Sequence, residues 1–526
     1  MSFANPHERF LGDLDAENDD NFYEHFIESD IIRKIHNAKS DIIYGSKGMG
    51  KTSLRRALAE MMKDSYQATM VINLDNLSFE AIHSELSTLN QTTNHEISKL
   101  ARNIWQNILL EYGFETLMES LEKDDPLRHK IFQALSAEGF MGDESDGESG
   151  MKVDIYFRLI NQIEIFFNKF QEITFAYKSK TTHHTGTTKS LGNLVDKFPL
   201  NDKFNELLKE CKETKGNERK NILICLDGFD SIVSHTPESR KAIFSGLIDA
   251  IFKLRNNKEI SSIFSFKAFL PEELTLDASA TVWDADKHFF NIHYIRWREE
   301  DFKVFIEKRL SKYSRKKSQK FVDVWYEFMP EKLDNNRHSM EENTFEYILR
   351  HTLYRPRQIL IHLQNILTQW DNKTDSFKVA PSFIPKIVAE TNYIMAENVA
   401  NQLSIVYPNI VSFLKSWQNS SNVILAKEFQ DRIKIHFPNL GNNEAYNRLF
   451  DELFSFGVFG IMASINGSNS AQRRTPFKFA FVGNTSTSHI HTSIKPDDHL
   501  ALAPMFNEYC GCSPSSHGVI VPISVN

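Results

Sequence analysis

Between Asp41 and Leu58 the chain reads DIIYGSKGMGKTSLRRAL, and this short stretch limits the possible folds more than any other. Asp41 to Tyr44 read as a short buried strand. Gly45, Gly48 and Gly50 then open a tight loop, and Lys51 and Thr52 begin a helix whose Leu54, Leu58 and Met61 keep helical spacing. Gly45, Gly50, Lys51 and Thr52 satisfy the pattern G-x-x-x-x-G-K-[ST], so Gly45, Ser46, Lys47, Gly48, Met49, Gly50, Lys51, Thr52 and Ser53 are predicted to form a phosphate-binding loop. Glycines are needed because backbone N–H groups must turn inward to cradle phosphate oxygens, and side chains there would block the backbone angles or the ligand. The helix N-terminus adds partial positive charge. Lys51 would reach the β- and γ-phosphates, and the Thr52 hydroxyl would hold a Mg²⁺ ion bridging them. The plain alternative is a glycine-rich turn in an unrelated α/β unit, and the strand before and helix after weigh against it.

Length and charge set wider bounds. At 526 residues, two to four domains are expected, and 41% hydrophobic residues are enough for a core in each. The formal charge of −8 gives no whole-chain basic field for nucleic acid, although local patches stay open. Four cysteines, Cys211, Cys225, Cys510 and Cys512, are too few and too scattered for a disulfide framework, which suits a reducing cytoplasm. The N-terminus has no signal-peptide pattern, and the longest apolar run, Leu453 to Ile465, holds glycine and serine and is too short for a bilayer. A cytoplasmic protein with no membrane contact is expected.

Along the chain, FYEHFIESDIIRKIHNA has helical spacing at Phe26, Ile31, Ile32 and Ile35, and Thr69 to Asp75 read as a second strand. Residues 80–215 read as a mainly helical insertion with polar loops. The His183–His184 pair in one of them suggests a metal less than a solvated loop. Then NILICLDGFDSI delivers five apolar residues ending in Asp227, a buried strand presenting a carboxylate where α/β sheets place their ligands. Asp227 is predicted to hold Mg²⁺ opposite Thr52. Asp230 is predicted to orient or deprotonate the attacking water, with helix capping as its alternative. A fourth strand over Ser261 to Leu274 places Lys267 near its end, as a γ-phosphate contact or as a surface lysine. Phe289 to Ile295 make a fifth strand, and RWREEDFKVFIEKRL an amphipathic helix with Phe302, Phe305, Ile306 and Leu310 inward. The six basic residues between Arg309 and Lys320 read as a solvated face. Arg355 and Arg357 flank Pro356 at a helix start, aimed at one spot or merely capping. Helices at about 404–418, 426–435 and 443–456, followed by a two-stranded hairpin, describe a winged helix. Its third helix carries Glu444, Asp451 and Glu452 against Arg448, so only Arg473 and Arg474 favour DNA and a protein contact is preferred. His489, His491, Cys510 and Cys512 lack a usual zinc spacing.

The order GSKGMGKT, CLDGFD, IRWREEDFKVFIEKRL, YRPRQIL and a C-terminal winged helix resembles a family of bacterial P-loop ATPases related to the STAND and KAP NTPases and to origin-recognition-type AAA+ proteins. The resemblance spans most of residues 10 to 510. It implies Walker A roles for Lys51 and Thr52, a Walker B pair in Asp227 and Asp230, a first sensor in Lys267 and a second-sensor region at Arg355-Pro356-Arg357, with Trp297 as a packing residue. It also implies ATP with Mg²⁺, and a switch used in bacterial signalling or antiviral defence. Two departures stand out: Gly228 follows Asp227 where an acid is usual, and Lys267 replaces a more usual Arg. The predicted fold is α/β, a P-loop NTPase parallel sheet of order 5-1-4-3-2, with a core at 1–79 and 216–310, a helical insertion at 80–215, a helical lid at 311–400 and a winged-helix domain and tail at 401–526. The predicted function is an ATP-hydrolysing switch acting on an effector protein or by self-association. A nucleic-acid-binding regulator and a non-hydrolysing nucleotide-binding scaffold are the alternatives.

Overall fold

The computed structural model describes residues 11–28, 30–37, 41–74, 94–137, 158, 162, 202–214, 220–229, 237–272, 291–315, 320–335, 337–371, 378–440, 443–463, 474–482, 494–514 and 516–523. The chain divides into two compact units. One holds residues 30–44 and 54–293, the other 1–29, 45–53 and 294–526.

The first unit is built on strands β1 (Asp41–Tyr44), β2 (Ala68–Asn73), β3 (Ile222–Asp227), β4 (Phe264–Leu270) and β5 (Ile292–Tyr294), in the order β2-β3-β4-β1-β5. This is the predicted order. The β2–β3, β3–β4 and β1–β4 pairings are parallel. Both faces of the inner strands are covered: Ile222 to Leu226 and all of Phe264 to Leu270 are buried, which is why these strands read as continuous apolar runs. All three described helices of the insertion, Asn94–Glu119, Pro126–Ala137 and Asp202–Thr214, contribute to the same core. The N-terminal stretch read as one helix is instead two, Phe22–His25 and Asp30–Asn37, because Phe26 turns to an extended conformation.

Helix Asn94–Glu119 meets helix Pro237–Asn256 at Gly246. A Cβ there would lie 2.6 Å from Ala101 Cβ and 2.7 Å from the Arg102 backbone nitrogen. Backbone cannot retreat as a flexible side chain can, so Gly246→Val is expected to cost about 1–3 kcal/mol through overpacking. Denaturant unfolding reads this directly, and an unchanged midpoint would refute the close approach.

The second unit has a helical part, Glu299–Leu310, Phe321–Phe328, Thr344–Arg350, Pro356–Asp371 and Ile384–Val406, gathered on one core with Leu11 of the N-terminal segment. A hairpin of β6 (Lys332–Asn335) and β7 (Met340–Asn343) interrupts the region read as wholly helical. Glu342 in β7 binds Arg350 through two hydrogen bonds of 2.7 and 3.0 Å and accepts another from Asn335. Two histidines are buried here: His351 lies 2.7 Å from the Tyr347 carbonyl through Nδ1, and His362 lies 3.4 Å from the His351 carbonyl through Nε2. Burial pushes His351 well below the usual imidazole range and His362 down to about 4. Both fold neutral. Below about pH 6.5 the unfolded chain takes up protons that the folded chain refuses, so stability is lost as pH falls from 6.5 toward 4. His362 alone is expected to remove about 2 kcal/mol by pH 5. Urea unfolding at pH 7 and pH 5 checks this, with His362→Gln expected to shrink the difference; an equal difference in both proteins would exclude His362 as the source.

Beyond Val406 the predicted helices appear as Ile410–Lys415, Ala426–His436 and Asn443–Ser455. The expected two-stranded hairpin is β9 (Phe459–Met462) against β10 (Arg474–Lys478), paired antiparallel. It does not stand alone. With β8 (Val423–Leu425), β11 (His499–Leu502) and β12 (Val519–Ile523) it forms a five-stranded sheet of order β12-β10-β9-β11-β8, wider than a two-stranded wing. The tail therefore belongs to this sheet, with β12 pairing parallel to β10.

Candidate functional site

The loop leaves the C-terminal end of β1 and enters helix Lys51–Arg56. Gly48 and Gly50 hold φ of +87° and +99°, angles that L side chains adopt only with strain. The Met49 N–H donates to the Ser46 carbonyl at 3.1 Å, closing the turn. Lys51 is buried, and its Nζ reaches back to the Gly45 carbonyl at 2.9 Å. The ammonium thus lies along the loop rather than in solvent. Gly45 is tight for a different reason: a Cβ there would meet Ile295 Cδ1 at 3.1 Å and Lys51 Cγ at 3.4 Å.

The same unit braces the loop from outside. The Trp297 indole Nε1–H donates to the Met49 carbonyl at 3.0 Å, and the Arg357 N–H to the Gly48 carbonyl at 3.4 Å. A Cβ on Gly48 would lie 3.3 Å from Arg357 Cβ and 3.9 Å from Arg355 Cβ, so the Arg355-Pro356-Arg357 corner packs on the loop. That corner is rigid. Tyr354 holds φ +52°, a strained angle for a bulky residue, its N–H donates to Thr352 Oγ1 at 3.1 Å, and its ring packs edge-on to Phe302. Arg355 is buried, and the Arg357 guanidinium donates from Nε to the Leu14 carbonyl at 3.2 Å. The two arginines were expected to aim at one spot; Arg357 instead ties the loop's outer side to the N-terminal segment.

In the sheet unit, Asp227 ends β3 level with Asn73 at the end of β2. Its Oδ2 accepts from Arg55 Nε at 3.0 Å and its Oδ1 from the Gly228 N–H at 3.0 Å. Arg55 follows Lys51 by four residues in the loop helix, a spacing that repeats one helical face, and this was the readable signal for it. Asp230 lies outside the described residues.

Lys267 is not where it was expected. Its register partner in β1 is Asp41, the first residue of that strand, and the two fully buried side chains form an ion pair of 2.7 Å. Lys267 also donates to the Ile35 carbonyl at 2.6 Å, and Asp41 lies 3.3 Å from His293 Nε2. Burial depresses the Lys267 pKa while Asp41 opposes that shift. The lysine therefore ties helix Asp30–Asn37 to the start of β1, and neither γ-phosphate contact nor surface lysine describes it.

In the C-terminal sheet Arg474 pairs with Glu346 at 3.0 Å, and Asp451 and Glu452 are buried rather than presented to solvent. Arg473, His183, His184, His489 and His491 lie outside the described residues. Cys510 and Cys512 are free and buried, and among the described residues no group of three or more metal-ligating side chains is found. No described helix is long and apolar enough to cross a membrane.

The phosphate loop fits a polyphosphate. It offers a backbone cradle, a cation and a hydroxyl in the order such a ligand needs. Asp227 in the sheet unit is paired with Arg55 at 3.0 Å, so any cation taken up at this carboxylate would compete with that guanidinium.

A family model described as the FunZ-associated C-terminal helical domain matches residues 300–386, which run from helix Glu299–Leu310 into helix Ile384–Val406. No curated protein matches the chain significantly. Among solved structures, the chain is similar to the Aeropyrum pernix ORC1 protein in complex with DNA, at 11% identity and TM-score 0.34, over 93% of this chain and 92% of that one. The Aeropyrum pernix ORC2 protein (ADPNP-ADP complexes) is similar at 10% identity and TM-score 0.34, over 91% and 90%. Such scores match no single residues, and the site stands on its own geometry.

Proposed function

We propose that the chain binds ATP with Mg²⁺ at residues 45–53 and hydrolyses it slowly, as a switch that converts nucleotide state into domain position. One observation carries this reading: the loop at the C-terminal end of β1 combines left-handed glycines at 48 and 50 with Lys51 folded along it, on a sheet of order β2-β3-β4-β1-β5. In the proposal the loop N–H groups and Lys51 bind the phosphates, Thr52 and Asp227 hold the metal, and Asp230 orients the attacking water. Bound Mg²⁺ would compensate the charge between β- and γ-phosphates. The preference for adenine over guanine follows from the family resemblance alone.

The helical region beginning at Glu299 is the proposed moving part, since Trp297 and Arg357 touch the loop itself. A protein effector or self-association is preferred to DNA as the target, because Arg474 is engaged by Glu346. A role in bacterial signalling or antiviral defence follows from the family resemblance alone. The ion pair between Arg55 and Asp227 favours a second reading, a nucleotide-binding scaffold with little turnover. Phosphate release separates the two. Asp230→Asn is expected to keep ATP affinity and lose at least 100-fold in release, roughly the contribution of a positioned general base. Binding of ATP by the parent with no release at all would favour the scaffold.

A further inference from the structure

The loop's outer side carries two hydrogen bonds that a phosphate ligand does not need. The Met49 carbonyl accepts from Trp297 Nε1 at 3.0 Å, and the Gly48 carbonyl from the Arg357 N–H at 3.4 Å. A trans peptide is planar, with its C=O and N–H pointing in opposite directions. Fixing the Met49 carbonyl outward therefore fixes the Gly50 N–H inward. Gly50 has φ +99° and lacks the side chain that would otherwise limit rotation of this peptide, so the orientation must be imposed from elsewhere. Trp297 is suited to impose it. Its ring is wedged between Phe302 and Phe305, at centroid distances of 5.3 and 5.2 Å, and those two phenylalanines are buried in the helical core. A rigid donor on a rigid helix start holds one peptide plane.

We infer that Trp297 is a positioning residue for the phosphates, holding the Met49–Gly50 peptide so that its N–H faces the ligand, and that through it the helix Glu299–Leu310 registers how the loop is occupied. This rests on the proposed phosphate-binding role of the loop and adds a residue that touches no ligand. The indole does more than fill space: a packing aromatic would need only its rings, whereas here the N–H has a defined acceptor on the loop.

The test is Trp297→Phe, which keeps an aromatic ring against Phe302 and Phe305 and deletes the donor. ATP and inorganic tripolyphosphate are titrated into parent and variant, with the ligand-free melting temperature recorded for each. Both ligands are expected to bind the variant about 5- to 10-fold more weakly, the usual worth of one oriented hydrogen bond, with the ligand-free melting temperature little changed. Gly246→Val is the control: it lowers the melting temperature through the sheet unit's core and is expected to leave affinity within about 2-fold. Equal affinity of Trp297→Phe and parent would overturn the inference while leaving the loop's role intact. So would an equal loss of affinity in Gly246→Val, because the loss in Trp297→Phe would then follow from destabilisation alone. A parent protein that binds neither ligand would overturn the loop reading as well.

Discussion

Lys51→Ala is expected to weaken ATP binding about 10- to 100-fold while the ligand-free protein melts close to the parent temperature. A charge-assisted hydrogen bond contributes about 1.5–3 kcal/mol, and that interval converts to this factor. The ligand-free protein should tolerate the change because the Lys51 ammonium donates to carbonyls of its own loop, Gly45 at 2.9 Å and Ser46 at 3.5 Å. Calorimetric titration together with a melting curve separates the two effects. Undiminished ATP affinity would remove the phosphate-loop assignment, and a large fall in melting temperature would show that Lys51 serves the fold first.

Arg55→Gln is expected to act in opposite directions on the ligand-free and the loaded protein. The Arg55–Asp227 pair is 3.0 Å long and its side chains are only 9% and 13% exposed, so removing the cation takes a charged partner away from a poorly solvated carboxylate. Breaking such a pair costs about 3 kcal/mol. A metal ion arriving at Asp227 would then no longer compete with the Arg55 guanidinium, and the stabilisation conferred by Mg²⁺ with ATP should grow by a comparable amount. Melting temperatures with EDTA, with ATP alone and with Mg²⁺ plus ATP show whether the loss is recovered. Asp227→Asn should remove the Mg²⁺ dependence altogether. If Arg55→Gln is destabilised to the same extent in all three conditions, Asp227 is a structural partner of Arg55 and not a metal ligand.

The parts of this molecule that local sequence specifies were readable, and the parts that register specifies were not. The loop, its strand and its helix occupy one continuous stretch, and the strand order followed from the loop motif and the apolar runs at Ile222–Leu226 and Phe264–Leu270. Lys267 looked like a strand-end cation because its partner lies 226 residues away, and only the pairing of β4 with β1 brings Asp41 opposite it. Trp297 looked like packing for the helix that follows it. Its acceptor on Met49 is 248 residues distant. Arg55 carries a helical spacing signal, but its carboxylate is 172 residues on. The hairpin β6–β7 lacks apolar alternation; among its residues Leu333, Asn335 and Glu342 are the buried ones, and two of these are polar groups bonded to one another. A period-based reading has no purchase on such a strand pair. The C-terminal sheet escaped for a related reason, since β12 (from Val519) pairs in parallel with β10 (to Lys478) across the long intervening stretch and no hairpin turn announces it.

The claim on which the rest depends is that the loop at 45–53 binds the phosphates of ATP. Isothermal titration of the full chain with ATP in the presence of Mg²⁺, repeated with adenosine, tests it most directly. The account predicts saturable binding of ATP at one site per chain, with adenosine at least 100-fold weaker because the phosphates supply most of the contacts. Binding of adenosine as tight as that of ATP, or no heat with either ligand, would contradict it.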